Sequence, residues 1–262
     1  MILDCLKDVE TMKNKFFLLY HFELNVYDIV MSILLKAILL FFLLNVPAIA
    51  EIVKVFEFTD EEFKELKVRK VKGETNWSLG SNEEGNYIRG EAKGTGSGLG
   101  KELIIDLNKT PFINITWKVE QNLSGIVENS KKGHDYAARV FVVKKTGSTA
   151  LSNRAINYVF SSNNNVGENW SSPYTKKSID YVLATTLNND NKWVSVKANV
   201  KEDFKKLHNL DVSELNGVAI MTDTDNSKKK AVAYTKIFIF QKIRTKFYIL
   251  FFICSKYFSN FI

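Results

Sequence analysis

The chain has 262 residues, 45% of them hydrophobic and 25% charged, proportions of a globular protein rather than a disordered one. Its formal net charge of +7 is unevenly spread: residues 1–50 hold four lysines against five acids, Lys242, Arg244, Lys246 and Lys256 stand near the end with no acid, and the stretch between is mildly basic with acids interspersed. That distribution excludes the basic stripe of a nucleic-acid binder, and two cysteines, Cys5 and Cys254, exclude a disulfide framework, a thiol nucleophile and cysteine-ligated zinc within residues 51–241.

Residues 31–50, MSILLKAILLFFLLNVPAIA, have the build of an export signal. Lys36 supplies one positive charge, Ala37–Leu44 is continuously apolar, and Ala48-Ile49-Ala50 gives the small-x-small pattern that signal peptidase accepts. Cleavage after Ala50 leaves Glu51 as the new N-terminus; the alternative is an uncleaved membrane anchor. Residues 1–30 carry Asp4, Asp8, Glu10, Glu23 and Asp28, the wrong charge for the start of a signal, so Met31 is read as the true start and the stretch before it as an over-called extension. The expected location is therefore outside the cytoplasm, periplasmic, secreted or anchored.

From Ile52 onward the dominant period is two. In Phe112–Glu120, Ile113, Ile115, Trp117 and Val119 fall on one face and Asn114, Thr116, Lys118 and Glu120 on the other, a half-buried strand. Trp193–Val200 repeats the pattern, with Trp193 on the polar side. Further strands are expected at Ile52–Phe58, Tyr87–Ala92, Leu103–Leu107, Tyr136–Lys144, Ala155–Phe160, Ile179–Thr186, Gly217–Thr222 and Ala231–Phe240, separated by turn-rich pieces, with only Thr59–Leu66 and Lys201–Leu207 briefly helical. Many short strands without long helices predict an all-β jelly roll or sandwich over residues 51–241. Residues 242–262 are read as an appendage whose apolar run, residues 247–254, is too short to span a bilayer as a helix. Membrane contact is expected only through residues 31–50 or that run.

The catalytic patterns fail one by one. In Gly94–Lys101 a phosphate loop needs glycine at Thr95 and a hydroxyl at Glu102, a dinucleotide fingerprint needs glycine at Leu99, and a hydrolase elbow needs glycines at Thr95 and Leu99 around Ser97. A close-packed turn is the expectation there. His134 and His208 have no metal-ligand spacing, and a histidine in a turn is expected to be solvated. Asp223-Thr224-Asp225-Asn226 begins like a calcium loop but has Lys228 and Tyr234 where glycine and glutamate are required, so a capped turn is preferred over calcium and no cofactor is expected. Arg139 stands in an otherwise apolar strand, where an unpaired guanidinium is costly, so Asp135, Asp223 or Asp225 should pair with it. Trp117 reads as core, whereas Trp170, in a loop, and Trp193 are candidate platforms for a sugar ring.

Several segments together resemble a known family: Gly98-Leu99, Trp117-Lys118-Val119, Lys132–Val140, Asn157–Phe160, Trp170–Tyr174 and Gly217–Asn226. They are similar to a bacterial, typically exported family known only as domain of unknown function 3047, over roughly residues 52–240. The resemblance implies a galactose-binding-like β-sandwich and carries over no activity. The chain departs from the pattern at His134, where an acid is expected, and at Thr235-Lys236, where Gly-Asp is expected. The resulting expectation is a ligand-binding envelope module with a glycan as leading partner and Arg139, Asp135, Trp170, Trp193, Asp223 and Asp225 as its ligand-facing residues. A hydrolase of envelope glycans and a structural protein without a small ligand are the alternatives.

Overall fold

The computed structural model describes residues 29–39, 52–83, 85–149 and 152–241. The expected cleavage point at Ala48, Ala50 and Glu51, most of the N-terminal extension and the tail from residue 242 lie outside them. The chain divides into two compact units, Met1–Ile49 and Ala50–Ile262. In the first, residues 29–39 form a helix, α1, exposed along its whole length. No helix among the described residues is long and apolar enough to cross a membrane.

The second unit is a β-sandwich. One sheet has six strands: β12 (Val194–Asn199), β7 (Phe112–Gln121), β15 (Lys230–Gln241), β4 (Gly85–Lys93) and β3 (Asn76–Asn82) in that order, with β1 (Ile52–Phe56) also against β15. The other has seven, in the order β10 (Asn169–Ser172), β11 (Thr175–Thr185), β9 (Arg154–Ser161), β8 (Ala138–Lys144), β14 (Gly217–Asp223), β5 (Gly96–Lys101) and β2 (Lys67–Lys72). Its strands are antiparallel except the parallel pair β9–β11. A two-stranded ribbon pairs β6 (Ile105–Asp106) with β13 (Glu214–Leu215).

The period-two reading has a direct physical outcome. Ile113, Ile115, Trp117 and Val119 of β7 point inward and are at most 1% exposed, meeting Val140 and Val142 of β8, Ile156, Tyr158 and Phe160 of β9, and Val218 and Ile220 of β14 in one core between the sheets. Strands with one apolar face can close such a core only by stacking face to face. The three short helices are locally determined. In α2 (Asp60–Glu65), Thr59 caps the Glu62 amide while the Glu62 carboxylate accepts from the Glu57 and Phe58 amides of the approaching chain. The four-residue α3 (Thr186–Asn189) follows β11, and α4 (Val200–His208) starts at an Asn199 cap and ends at Asn209, left-handed at φ 51°.

Five strands were not expected from the pattern, and two expectations are corrected. The glycine run is not a turn: Gly96–Lys101 is strand β5, and the chain reverses just before it, at Gly94, which has φ 64°. The strand expected at Leu103–Leu107 shrinks to Ile105–Asp106. Strand β2, KVRKVK, is exposed at every position because it forms a sheet edge, where lysines discourage pairing with other chains. Strands β3, β10 and β13 complete the five.

Candidate functional site

Alternation also fixes what the seven-stranded sheet presents on the face away from the core. Leu99, Val140, Val142, Val218 and Ile220 point inward, so their neighbours point out: Gly96, Gly98 and Gly100 on β5, Gly217, Ala219 and Met221 on β14, Arg139, Phe141 and Val143 on β8, and Lys67 and Arg69 on β2, opposite Gly100 and Gly98. Around Gly98–Gly100 and Gly217–Ala219, two adjacent strands thus carry no side chain larger than a methyl on this face, while the strands flanking them carry long ones. The result is a groove of about 300 Å³ with a floor of Gly98, Gly100, Gly217 and Ala219 and walls of Phe141 and Val143 on one side and Lys67, Arg69 and Val71 on the other. The volume is at the lower end of the range for small-ligand pockets. Lys145, Glu102, Asn153 and Asn216 complete the rim. The Asn153 Oδ1 is buried without a hydrogen-bond partner among the described residues.

Beside the groove the face turns into a buried polar cluster. Arg139, 5% exposed, lies between the rings of Tyr136 and Phe141, 5.1 and 5.3 Å from their centroids, and donates from Nη2 to Asp223 Oδ2. Burial pushes the Asp223 carboxyl up to about 7; Arg139 pulls against this, and the charge of Asp135 adds to it. Asp135, Asp223 and Asp225 bring one oxygen each within 4.8 Å of one another, the set among the described residues that can offer three carboxylates to one cation. Much of that capacity is already engaged. Asp135 accepts from the Asn226 amide and side chain and from the Ser227 amide, and Asp223 accepts from Arg139 and the Tyr136 amide. Among the described residues, the buried Asp225 Oδ1 and Arg139 Nε have no hydrogen-bond partner.

A loop from Asn122 to Ala137 lies over this half of the face and is tied down along its length. Glu128, 2% exposed, accepts from the Ser161 hydroxyl (2.5 Å), the Ser162 amide (2.7 Å) and the Asn163 and Asn164 side chains (3.0 and 2.7 Å). His134 is buried rather than solvated: its Nε2 is 2.7 Å from Asp180 Oδ2, which also accepts from the Tyr136 hydroxyl, while Asn157 donates to Asp180 Oδ1. A fully buried carboxylate needs this many partners.

The structure brings together Arg139, Asp135, Asp223 and Asp225. Trp170, half-buried, stands on the same face and packs on Tyr136, Val159 and Val182. Trp193 does not join them. It stands just before β12, an edge of the six-stranded sheet, on that sheet's outer face, clustered with Tyr87 and Tyr234 at 6.1 Å and flanked by the ammonium groups of Lys118 and Lys236. Alternation correctly put Trp193 on a polar face but could not say which sheet would own it. Sequence reasoning missed Phe141 and the outward glycines; glycines at every second position of one segment are the signal that was there to read.

The sequence matches the family described as "Protein of unknown function (DUF3047)" over residues 61–238. The chain belongs to that family. The DUF3047 match takes in every strand of the seven-stranded sheet and both walls of the groove. No curated protein matches the chain. Among solved structures, this DUF3047 protein is similar to a family 30 carbohydrate-binding module of a cellulosomal cellulase of Clostridium thermocellum (TM-score 0.44, 8% identity, 75% of this chain and 99% of that one). It is similar as well to a family 11 carbohydrate-binding module of Clostridium thermocellum in complex with a mixed-linked tetrasaccharide (0.40, 10%, 74% and 96%). A third is the xyloglucanase domain of NopAA from Sinorhizobium fredii (0.38, 10%, 67% and 93%).

Proposed function

We propose that this DUF3047 protein is an exported module that binds a glycan, without cleaving it, in the groove on the outer face of the seven-stranded sheet. The observation that carries the reading is the row of outward glycines on β5. Glycine inside a strand is destabilising by roughly 0.5–1 kcal/mol against alanine, and none of Gly96, Gly98 and Gly100 has the positive φ that would require it. Glycine in a strand without a conformational reason marks a place where something else must come close. At Gly96 and Gly98 the protein itself comes close. A Cβ at Gly100, by contrast, would meet nothing nearer than the Ala219 Cβ at 3.5 Å, so the space over Gly100 is left for a ligand.

A sugar ring suits the lining, which sets Phe141, Val143 and Val71 against a polar rim; the ring has apolar C–H faces and hydroxyls at its edge. Binding is preferred to hydrolysis because glycosidases work with two facing carboxyl groups, and the only carboxylate in the groove lining is Glu102. Export rests on the pattern of residues 31–50; an exported form starting at Glu51 supports it, and one starting upstream of Met31 refutes it.

Thermal-shift measurements on the full chain with soluble oligosaccharides test the binding. A ligand at about 100 times its dissociation constant adds about 2.7 kcal/mol, a rise of roughly 5–10 °C for a domain of this size. Gly100→Val adds bulk over the groove floor at a position where a Cβ meets nothing nearer than 3.5 Å, so it should largely keep the unliganded melting temperature and lose the shift. A shift that survives Gly100→Val places the ligand elsewhere and refutes the proposal.

A further inference from the structure

Building on the glycan reading, we infer that the groove takes an acidic glycan, one carrying carboxylate or phosphate groups along its chain. Cations from both walls converge on one acid at the rim. Lys67 and Arg69 reach Glu102 from β2 at 3.9 and 3.7 Å, and Lys145 reaches it from the end of β8 at 3.4 Å. Their combined field, Lys145 first, holds the Glu102 carboxyl below the usual carboxylate range. Three cations sharing one carboxylate leave an excess of two positive charges at the mouth of the groove, and no other acid among the described residues lines it.

The pairs are loose and exposed, with Lys67 and Arg69 side chains 70% and 71% exposed and Lys145 55%, so each contributes little on its own and can exchange Glu102 for an incoming anion. Protection of the sheet edge accounts for charges on β2, but not for Lys145, which follows the central strand β8 and still turns to the same carboxylate. The guanidinium fork of Arg69 and the point charge of Lys145, standing on opposite sides of a floor with no side chain larger than a methyl, suit a chain that presents an anion on each side of the ring seated between them.

Affinity electrophoresis of the full chain in gels containing polygalacturonate, poly(glycerol phosphate) or a neutral mixed-linked β-glucan tests this. The expected result is retardation by at least one polyanion and not by the neutral glucan, weakening as ionic strength rises from about 0.01 to about 0.15 M. Arg69→Gln combined with Lys145→Gln should weaken it about tenfold, and Gly100→Val should abolish it. Which polyanion retards the protein separates carboxylate from phosphate. Retardation by the neutral glucan that is lost in Gly100→Val but untouched by the charge substitutions overturns the acidic preference and leaves the groove reading standing. Retardation by a polyanion that survives Gly100→Val is charge contact outside the groove and overturns the inference. No retardation by any of the three overturns the groove reading and the inference with it.

Discussion

Replacing Arg139 with methionine removes a guanidinium from the most crowded electrostatic position in the sandwich while keeping a stem that can fill the gap between Tyr136 and Phe141. What remains is Asp223, 1% exposed, beside Asp135 and Asp225 and with no cation to face. Breaking a buried pair from one side costs about 3–5 kcal/mol because the surviving charge is left buried without a counter-ion. For a domain of this length that corresponds to a fall of roughly 6–20 °C in melting temperature.

The cost should depend on pH, and its sign follows from Asp223. Its carboxyl is raised from 3.8 to about 7 in the folded chain, chiefly by burial. The folded state therefore holds a proton that the unfolded chain has lost, and the stability tied to it is present below about pH 4 and lost as pH rises through about 7. Without Arg139 the carboxyl rises further, so the variant separates from the parent most above pH 7. At pH 5 Asp223 is neutral in both, and the loss shrinks to contacts and one hydrogen bond, about 1–2 kcal/mol. Urea unfolding of the full chain at pH 5 and pH 8, followed by circular dichroism, measures both. A loss equal at the two pH values, or below about 1 kcal/mol at pH 8, refutes the reasoning.

Two further outcomes follow from neighbouring features. Gly96→Ala and Gly100→Ala change the same face of one strand with opposite consequences: a Cβ at Gly96 would lie 2.7 Å from Asp225 Oδ1 and 2.9 Å from Asp223 Cβ, whereas Gly100 has room. The first should destabilise by about 1–3 kcal/mol and the second should be neutral or stabilising, compared by urea midpoints. Glu128→Ala strands four donors and should cost about 2–4 kcal/mol. It should also loosen the covering loop, seen as faster hydrogen exchange at the Leu123 and Gly125 amides, which are held by Ser162 and Asn163; exchange unchanged there would show that Glu128 does not anchor the loop.

Where a strand buries one face, its side chains state the fact in sequence, which is why β7 and β12 were legible. Strand β2 was not, because an edge strand with both faces wet has no alternation to display, and β5 was not, because glycine carries no hydropathy signal and is read first as a turn. At the site, Arg139 announced itself as a charge that an apolar strand could not leave alone. Its choice of Asp223 over Asp135 or Asp225 depends on how β8 and β14 pair, which no local pattern encodes. Glu128 gave no sign at all, since a loop acid looks solvated until the fold places the 161–164 turn above it.

The four glycines of the groove and its continuation are not equivalent. At Gly96 and Gly98 an added Cβ would run into Asp225, Asp223 or the Ile220 carbonyl at 2.7–2.9 Å, so these two positions are fixed by the fold itself. Gly100 and Gly217 meet nothing closer than 3.5 Å. The depth of the groove can thus be altered, one side chain at a time, at two places that the sandwich does not use to hold itself together. A lineage carrying this fold could change what it recognises without renegotiating how it folds.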